Sequence, residues 1–426
     1  MKPGTSSRMS GLYRLSIEER RRELRKRIEM DHDELRALDW GGLLLADADN
    51  LSENVLGTYK LPFAVCPNFL IDGKERVLPM VVEEPSVVAA AANAARIVRE
   101  GGGFISEADD PQMIAQVQVL DVDDPEGAIE RIGSEEEDLI GLADACHPNL
   151  VARGGGARAI EVRRLPGDPA QLVVHIAIDC RDAMGANLVN TAAERLADRI
   201  AGLAGGRPGL RILSNLADRR LVRVETRIPP SALAIAKIPG PAVRDQIAEA
   251  SRFAEIDPYR AVTHNKGIMN GVDAVCLAVG NDWRAVEAGA HAYASREGHY
   301  GPLATWRVDE EGMLFGRIEM PMAVGTVGGA IRVHSLASLA LKIASVDDAT
   351  DLGVVMVCAG MASNLAALRA LATIGIQRGH MSLHARSVAR AAGARDGQVE
   401  LVARLLAQSG EIRAEKAQQI IEKLGL

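Results

Sequence analysis

Aromatic residues are scarce in this sequence: Phe, Trp and Tyr together make up 3% of its 426 residues. Hydrophobic residues still reach 47% and charged residues 25%, a composition typical of globular proteins. The core must therefore be built from Ala, Val, Leu and Ile, which suits helices packed on sheets through small side chains. One hydrophobic core rarely serves so long a chain, so we expect two or three domains.

An excess of basic charge is also missing. The formal net charge is −8, whereas proteins that bind nucleic acid normally carry a basic footprint. The one basic run, from Glu19 to Arg27, is interleaved with acidic residues and indicates a solvated helix face. A phosphate-bearing ligand could use one or two of its arginines. We expect no nucleic-acid partner.

Cysteines are few and scattered, at positions 66, 146, 180, 276 and 358. Their odd number and the lack of a C-x-x-C pair predict neither a disulfide framework nor a zinc site, and they fit a reducing cytoplasm. The histidines show no metal-ligand spacing, so we expect no metal. The segment MKPGTSSRMSG lacks the apolar stretch of a signal peptide, and we identify no 18-residue apolar run that would cross a membrane.

Capping and periodicity signals predict both helices and strands. Ser16 to Glu19 form a capping box that opens a charged helix reaching about Met30. Strands and a long helix alternate between Met113 and Leu213, which indicates a small α+β insertion between two halves of a larger domain. Three glycine-separated helices, at 382–392, 398–408 and 411–424, predict a terminal unit that could move as a lid. A plain helical cap is the alternative.

No G-x-G-x-x-G fingerprint, Walker A sequence or G-x-S-x-G elbow occurs. Four polar segments stand out instead, each with a structural alternative. Glu83–Ser86 could simply cap a helix, and Thr263–Gly271 could be a solvated loop between glycines. Asp282 follows the apolar run 274–279, predicted as a buried strand, but it could equally cap the helix from Trp283 onward. His380, beside Gly379, could be structural rather than a proton donor.

Taken together, these segments resemble the motif set of class II hydroxymethylglutaryl-CoA reductases. Eight stretches match in the family's order, from about residue 53 to residue 392, and their order makes the resemblance specific. They are Glu53–Gly57, Glu83–Ser86, Asp182–Asn187, Ser214–Asp218, Asp257–Gly271, Gly280–Arg284, Pro321–Gly329 and Arg378–Met381.

The resemblance implies an α+β fold and a reaction. A large, mainly helical substrate domain with a central sheet is expected over residues 1–110 and 215–375. A small ferredoxin-like, dinucleotide-binding α+β domain is expected over 111–214, and a C-terminal helical flap over 376–426. The implied reaction interconverts 3-hydroxy-3-methylglutaryl-CoA with mevalonate and CoA by two hydride transfers. A homodimer with shared active sites, or an oligomer of such dimers, is implied too; Glu53–Gly57 resembles a dimer-interface segment.

The resemblance also assigns roles to individual residues. Its catalytic set falls on Glu84, Lys266, Asp282 and His380. Its substrate contacts fall on Ser86, Arg260, Asn270, Asn215 and, for the CoA phosphate, Arg14. Its cofactor contacts fall on Asp182, Met184, Gly185, Ala186 and Asn187, with His147 near the adenosine ribose.

His147 is a departure from the family's pattern. Members that use NAD strictly carry an acid where this chain has His147, and an acid would bind the ribose and repel a 2′-phosphate. A histidine neither binds the ribose hydroxyls as strongly as an acid does nor repels a 2′-phosphate. NAD(H) is favoured by the whole-chain similarity, and NADP(H) is possible.

Two other functions stay open on sequence alone. A different CoA-thioester enzyme, of thiolase or acyl-transfer type, would need an activated cysteine. A catalytically inactive relative that binds CoA or a nucleotide would need none of the four ionisable residues, yet all four are retained.

Overall fold

A computed structural model describes residues 1–167, 170–235, 238–373, 385–395 and 397–425. It confirms the predicted mixture of helices and strands. The first helices are α1 (Ile17–Arg25), α2 (His32–Trp40), α3 (Leu45–Leu51), α4 (Val87–Val98), α5 (Pro125–Ser134), α6 (Glu136–Ala145), α7 (Pro148–Val151), α8 (Ala186–Ala204) and α9 (Pro230–Leu233). The others are α10 (Gly240–Ile256), α11 (Pro258–Ala278), α12 (Trp283–Ala294), α13 (Gly329–Val333), α14 (Ser335–Ala344), α15 (Ala349–Ala372), α16 (385–391), α17 (Val399–Ser409) and α18 (Ala414–Leu424).

The strands form three antiparallel sheets in the described chain. They are β1 (Phe63–Ile71), β2 (Lys74–Val81), β3 (Ile105–Ala108), β4 (Gln112–Leu120), β5 (Gly156–Leu165), β6 (Gln171–Asp179), β7 (Arg207–Leu213), β8 (Leu221–Ile228), β9 (Ala304–Val308) and β10 (Leu314–Pro321). β1 and β2 form a hairpin, and the other two sheets have the orders β3-β8-β10-β9 and β5-β6-β4-β7.

The largest hydrophobic core joins the hairpin and the β3-β8-β10-β9 sheet to α4, α10, α11 and α15. Small side chains let the helices approach closely, as the composition predicts. Helix α15 is long and apolar enough to cross a membrane, contrary to the expectation that no such run exists. Most of that helix is buried inside the protein, which is the setting of a core helix.

The polar stretch from Thr263 to Gly271 is helical, not the glycine-flanked loop predicted from sequence. It lies within α11, which begins with Pro258 behind an Asp257 cap, a strong helix start. A Cβ at Gly271 would clash with the carbonyl oxygen of Ala359 on α15. The glycine therefore allows two helices to pack closely. The apolar run 274–279, predicted as a buried strand, forms the end of the same helix, which stops at Ala278 with Val279 as its C-cap.

The four strands of the β5-β6-β4-β7 sheet and the helices between them form a second unit. Its chain order is β4, then α5 to α7, then β5, β6, α8 and β7. Helices α5, α6 and α8 cover one face of the sheet and enclose a separate hydrophobic cluster. The predicted helix 188–204 is confirmed and starts at Ala186.

The two ends of the chain form smaller clusters. The Ser16 capping box is present, although α1 ends at Arg25, earlier than predicted. Helices α17 and α18 confirm two of the predicted terminal helices and pack with 385–391 around Ala389, Val402 and Leu406. The predicted connection at 376–381, with His380, lies outside the described residues.

Candidate active site

An ion pair between Glu84 and Lys266 is the most direct sign of a reactive site. The Lys266 Nζ atom donates a hydrogen bond to Oε2 of Glu84 across 2.8 Å. Glu84 lies just beyond the end of β2, whereas Lys266 lies in the third turn of α11. The side chains remain 38% and 60% exposed respectively, so another molecule can reach both. Glu84 is thus paired with a distant lysine and does not cap the following helix.

Ser86 provides a strained backbone beside this pair. It has φ 78°, in the left-handed region that non-glycine residues seldom adopt. It occupies the N-cap position of α4, but its side chain makes no capping hydrogen bond. Its hydroxyl is therefore available to a ligand.

Arg260 and Asn270 lie on α11 on either side of Lys266. Arg260 is half-buried, and its burial lowers the pKa of the guanidinium. It forms no ion pair with any residue that the structure describes. A partly buried cation without a carboxylate partner is costly, which suits it to a carboxylate supplied by a ligand. Asn270 lies one helical turn after Lys266 and is also half-buried.

Asp282 is not brought to Glu84 and Lys266 within the chain. It caps α12, and its Oδ1 accepts hydrogen bonds from the amides of Arg284 at 3.1 Å and Ala285 at 3.2 Å. The backbone amide of Asn281, the residue before Asp282, donates a hydrogen bond to the carbonyl of Cys276 in α11. Cys276 lies ten residues after Lys266, about 15 Å along a helix axis. The capping interpretation of Asp282 is therefore confirmed, and within one chain Asp282 does not meet the Glu84–Lys266 pair.

The Asp182–Asn187 loop lies near the Asp282 end of α11. Asn281 joins the two: its side chain donates to the Gly325 carbonyl at 2.9 Å and accepts from the Gly325 amide at 2.8 Å. A Cβ at Gly325 would come within 2.5 Å of the Met184 nitrogen, so the loops pack backbone to backbone. The carbonyl of Asp182 also accepts from Thr326 at 2.9 Å.

The first turn of α8 has the features of an anion site. Gly185 precedes it with φ 109°, and a Cβ there would lie 2.6 Å from Sγ of Cys180. No acidic residue stands in the first turn, and none of the described side chains caps its amides. Ala186 and Asn187 begin the helix. Free amides at the N-terminus of a long helix, reached past a glycine, are well suited to a phosphate.

Arg220 and Asn281, to which the sequence alone assigns no role, hold the Asp182–Asn187 loop and the Pro321–Gly329 segment in place. Arg220 is buried, which lowers the pKa of its guanidinium to about 10. It donates to the carbonyls of Ala183, Met184 and Val324, so it links the Asp182–Asn187 loop to the Pro321–Gly329 segment. Asn281 has the same function at Gly325. No short sequence signal identifies Arg220, because its partners are distant backbone atoms. Asn281 lies within the Gly280–Arg284 stretch, but the resemblance assigns it no role.

The structure also shows the surroundings of His147, Asn215 and Arg14, the other residues that the resemblance assigns to substrate or cofactor. The Nε2 atom of His147 bonds to the carbonyl of Leu188 in α8 at 2.8 Å, beside the Asp182–Asn187 loop. Asn215 is exposed, and its backbone packs on Gly289 of α12. Arg14 is exposed and lies over the Tyr13 ring. Tyr13 lines a cavity of about 1310 Å³ between the N-terminal helices and α4, with Arg20, Arg96 and Arg386 at its wall.

Comparison with known proteins identifies the family. The family model of hydroxymethylglutaryl-coenzyme A reductase matches residues 16–385. A 3-hydroxy-3-methylglutaryl-coenzyme A reductase of Archaeoglobus fulgidus is 46% identical over 420 residues, which cover 98% of this chain and 95% of that protein. A probable reductase of the same kind from Borreliella burgdorferi is 36% identical over 339 residues, which cover 80% and 77%.

Solved structures of Streptococcus pneumoniae enzymes agree. One 3-hydroxy-3-methylglutaryl-coenzyme A reductase has a TM-score of 0.84 and 41% identity, and the match covers 97% of this chain and 99% of that one. A class II enzyme bound to NADPH in open conformations has a TM-score of 0.82 and 42% identity, covering 97% and 100%. The resemblance inferred from the eight motifs is confirmed. The chain belongs to class II of the hydroxymethylglutaryl-coenzyme A reductase family.

Proposed function

We propose that the residues assigned above carry out the family's reaction in this chain, with the Glu84–Lys266 pair at its centre. The reaction converts the thioester of 3-hydroxy-3-methylglutaryl-CoA into the primary alcohol of mevalonate and releases CoA. It consumes two hydrides and two protons. The nicotinamide cofactor supplies the hydrides when bound, and the protein must stabilise the oxyanions and supply the protons.

Lys266 is the residue suited to stabilise the oxyanion. Each hydride transfer places negative charge on a carbonyl oxygen, and a positioned cation lowers the barrier to that step. The ammonium is exposed and already bound to a carboxylate at 2.8 Å. Glu84 would protonate the oxygen at the aldehyde stage. His380 would protonate the departing CoA thiolate; this role rests on the resemblance, since His380 lies outside the described residues.

The 3-hydroxy-3-methylglutaryl end carries a carboxylate, which Arg260 would bind. The half-buried guanidinium without an ion-pair partner in the described chain supports this assignment. The Ser86 hydroxyl and the Asn270 amide would complete the contacts. Arg14 would meet the CoA phosphate at the other end of the substrate.

The dinucleotide would bind at the α8 N-terminus, in the unit over residues 111–214. The β-α-β-β-α-β connection and the strand order β5-β6-β4-β7 are those of ferredoxin-like domains, which supports a separate dinucleotide-binding domain. Gly185 keeps the approach to the free amides open. We propose residues 1–110 with 215–375 as the substrate domain and 376–426 as the flap.

A complete site would need two copies of the chain. Within one copy, Asp282 and the Asp182–Asn187 loop lie at the opposite end of α11 from Lys266. Two antiparallel copies would place the Asp282 end of one beside the Lys266 end of its partner. An exposed apolar surface near Glu53–Gly57 supports such an interface, because Leu51, Leu56 and Tyr59 are 46%, 100% and 91% exposed.

The choice between NAD and NADP rests on His147. Preference for NAD stays a prediction, while the NADPH-bound Streptococcus pneumoniae relative gives the opposite expectation. The purified chain should oxidise the reduced nicotinamide when given 3-hydroxy-3-methylglutaryl-CoA, and reduce the oxidised form when given mevalonate and CoA. Absorbance of the reduced nicotinamide measures both. No turnover with either cofactor in either direction would refute the proposal.

The thiolase-type alternative loses support in the structure. Such chemistry needs a cysteine that ionises readily. Cys66, Cys180, Cys276 and Cys358 are buried, and burial raises the pKa of each thiol, that of Cys180 to about 12. Cys146 is half-buried, and its thiol donates to the carbonyl of Leu142 in α6 at 3.4 Å.

A further inference from the structure

A chain of hydrogen bonds connects α11 and α12 beneath the residues assigned to catalysis. The Asn265 amide donates to the Tyr300 hydroxyl at 3.0 Å. This hydroxyl lies 2.7 Å from Nδ1 of His291 on α12. The other ring nitrogen of His291, Nε2, lies 2.7 Å from Oε2 of Glu287 on the same helix. Glu287 in turn shares a hydrogen bond with Asp273 on α11.

This hydrogen-bond chain is attached to α11 at two residues, Asn265 and Asp273, and the residues assigned to the substrate, Lys266 and Asn270, lie between these two anchors. Asn265 directly precedes Lys266, and Asp273 lies seven residues after Lys266, two turns along and on the same face. Lys266 and Asn270 both lie between the anchors, which are about 12 Å apart along the helix axis. Asn265 is fully buried and also bonds to Gly301 and Leu303, so its anchor is rigid.

The chain of hydrogen bonds is complete in only some protonation states of Asp273, Glu287 and His291. Asp273 and Glu287 are two carboxyl groups in hydrogen-bond contact, so one must hold a proton. Burial, together with the neighbouring Glu287, raises the pKa of Asp273 to about 8. The neutral Asp273 donates to Glu287, which accepts from His291 and raises the pKa of that imidazole. With the proton on Nε2 of His291, Nδ1 accepts from the Tyr300 hydroxyl.

The other titratable groups near Asp273 do not replace this proton. Cys276 on α11 is buried, and its thiol pKa is raised by burial and by Asp273 and Asp282. Burial raises the pKa of Tyr300 as well. Loss of the Asp273 proton at alkaline pH would leave two adjacent carboxylates, which repel and separate the helices at one anchor.

We propose that Asp273, Glu287, His291 and Tyr300 are positioning residues that clamp α11 to α12 and hold Lys266 in place. The inference rests on the proposed function, since it takes Lys266 as the oxyanion-stabilising residue. Turnover by the unmodified enzyme and its loss in Lys266→Ala test that function separately. The clamp is then tested by variants that leave Lys266 intact.

Asp273→Asn is the decisive variant, because the amide is isosteric, donates to Glu287 and does not titrate. It should keep kcat at neutral pH and lose the decline of kcat at alkaline pH. Asp273→Ala and Tyr300→Phe should lower kcat on the order of tenfold or more with little change in KM for 3-hydroxy-3-methylglutaryl-CoA, as expected for misplacement of a catalytic group. Glu297→Gln is the matched control, because Glu297 is an exposed glutamate just before Tyr300 that pairs only with its neighbour Arg296 in the described chain. This variant should change neither kcat nor its dependence on pH.

An alkaline decline in Asp273→Asn equal to that of the unmodified enzyme overturns the proposal. So does unchanged kcat in both Asp273→Ala and Tyr300→Phe. If the Asp273 variants do not fold, Tyr300→Phe decides alone, since it removes one hydroxyl and leaves the carboxyl pair in place.

Discussion

The two ends of helix α11 use their polar groups differently. Around Lys266 the charged groups face outward, and the lysine side chain is 60% exposed. At the other end, Asn281 and Asp282 are engaged with backbone amides and carbonyls, and Arg220 joins two carbonyls of the Asp182–Asn187 loop to the carbonyl of Val324. The first end therefore leaves charged side chains open to another molecule, whereas the second end uses its polar side chains to hold backbone segments together.

This difference predicts that substitutions at the two ends of α11 affect folding stability differently. A side chain exposed at the first end can be replaced with little cost to folding, because it buries little surface. A change at the second end removes hydrogen bonds of buried backbone groups and so should lower stability, and under the proposed function it should weaken cofactor binding as well. Four substitutions test this contrast, in order of decreasing effect.

Lys266→Ala should lower kcat by a factor on the order of 100 to 1000, since removing one oxyanion donor costs about 3–4 kcal/mol of barrier. The thermal unfolding midpoint should stay close to that of the unmodified protein. Steady-state kinetics and circular dichroism measure the two quantities. Lys342→Ala is the matched control: this lysine also forms an ion pair on a helix, with Glu34 at 2.9 Å. Substantial residual activity in Lys266→Ala would refute the oxyanion role.

Asp282→Asn should also lose most activity, while the amide keeps the helix cap. If the two ends of α11 meet across a dimer, a mixture of Asp282→Asn and Lys266→Ala chains regains activity. Random pairing would give about a quarter of the unmodified activity, because half the dimers are mixed and each has one intact site. Co-expression with two affinity tags isolates the mixed dimer. A mixed dimer as inactive as its parents would show that the sites are not shared.

Gly185→Ala should raise KM for the nicotinamide cofactor roughly tenfold and lower stability by about 1–2 kcal/mol, since a positive φ is unfavourable with a Cβ. The added Cβ would also lie 2.6 Å from Sγ of Cys180. Cofactor titration and thermal unfolding give the two values. Gly205→Ala, also at positive φ but with open space around it, separates backbone strain from the contact. Equal effects of both variants on cofactor KM would count against a dinucleotide site at Gly185.

His147→Asp should shift cofactor preference toward NADH by several-fold, because an acid beside the ribose repels a 2′-phosphate. His147 lies within hydrogen-bond distance of the α8 backbone, so its replacement acts locally. The ratio of kcat/KM with NADH to that with NADPH is the measurement. His175→Asp, on the small sheet facing Gln116, serves as the control. An unchanged ratio in His147→Asp would place the ribose elsewhere.

Several local features were predictable because neighbouring residues in the chain determine them. The Ser16 capping box, the helix beginning near Leu188 and the strand 171–179 follow from capping and periodicity alone. The nature of α11 did not follow, because its glycines suggested a loop. Gly271 is tolerated in the helix because it permits contact with α15, a distant segment that local sequence does not show.

By itself, the sequence determined the family, since eight ordered motifs are a property of the chain's order rather than of its folding. It also determined where helices begin, because caps act within a few residues. Only the tertiary structure decided that Lys266 meets Glu84, 182 residues away, and that Asp282 does not. Those distances depend on how helices and strands pack, and packing is set by contacts between remote segments.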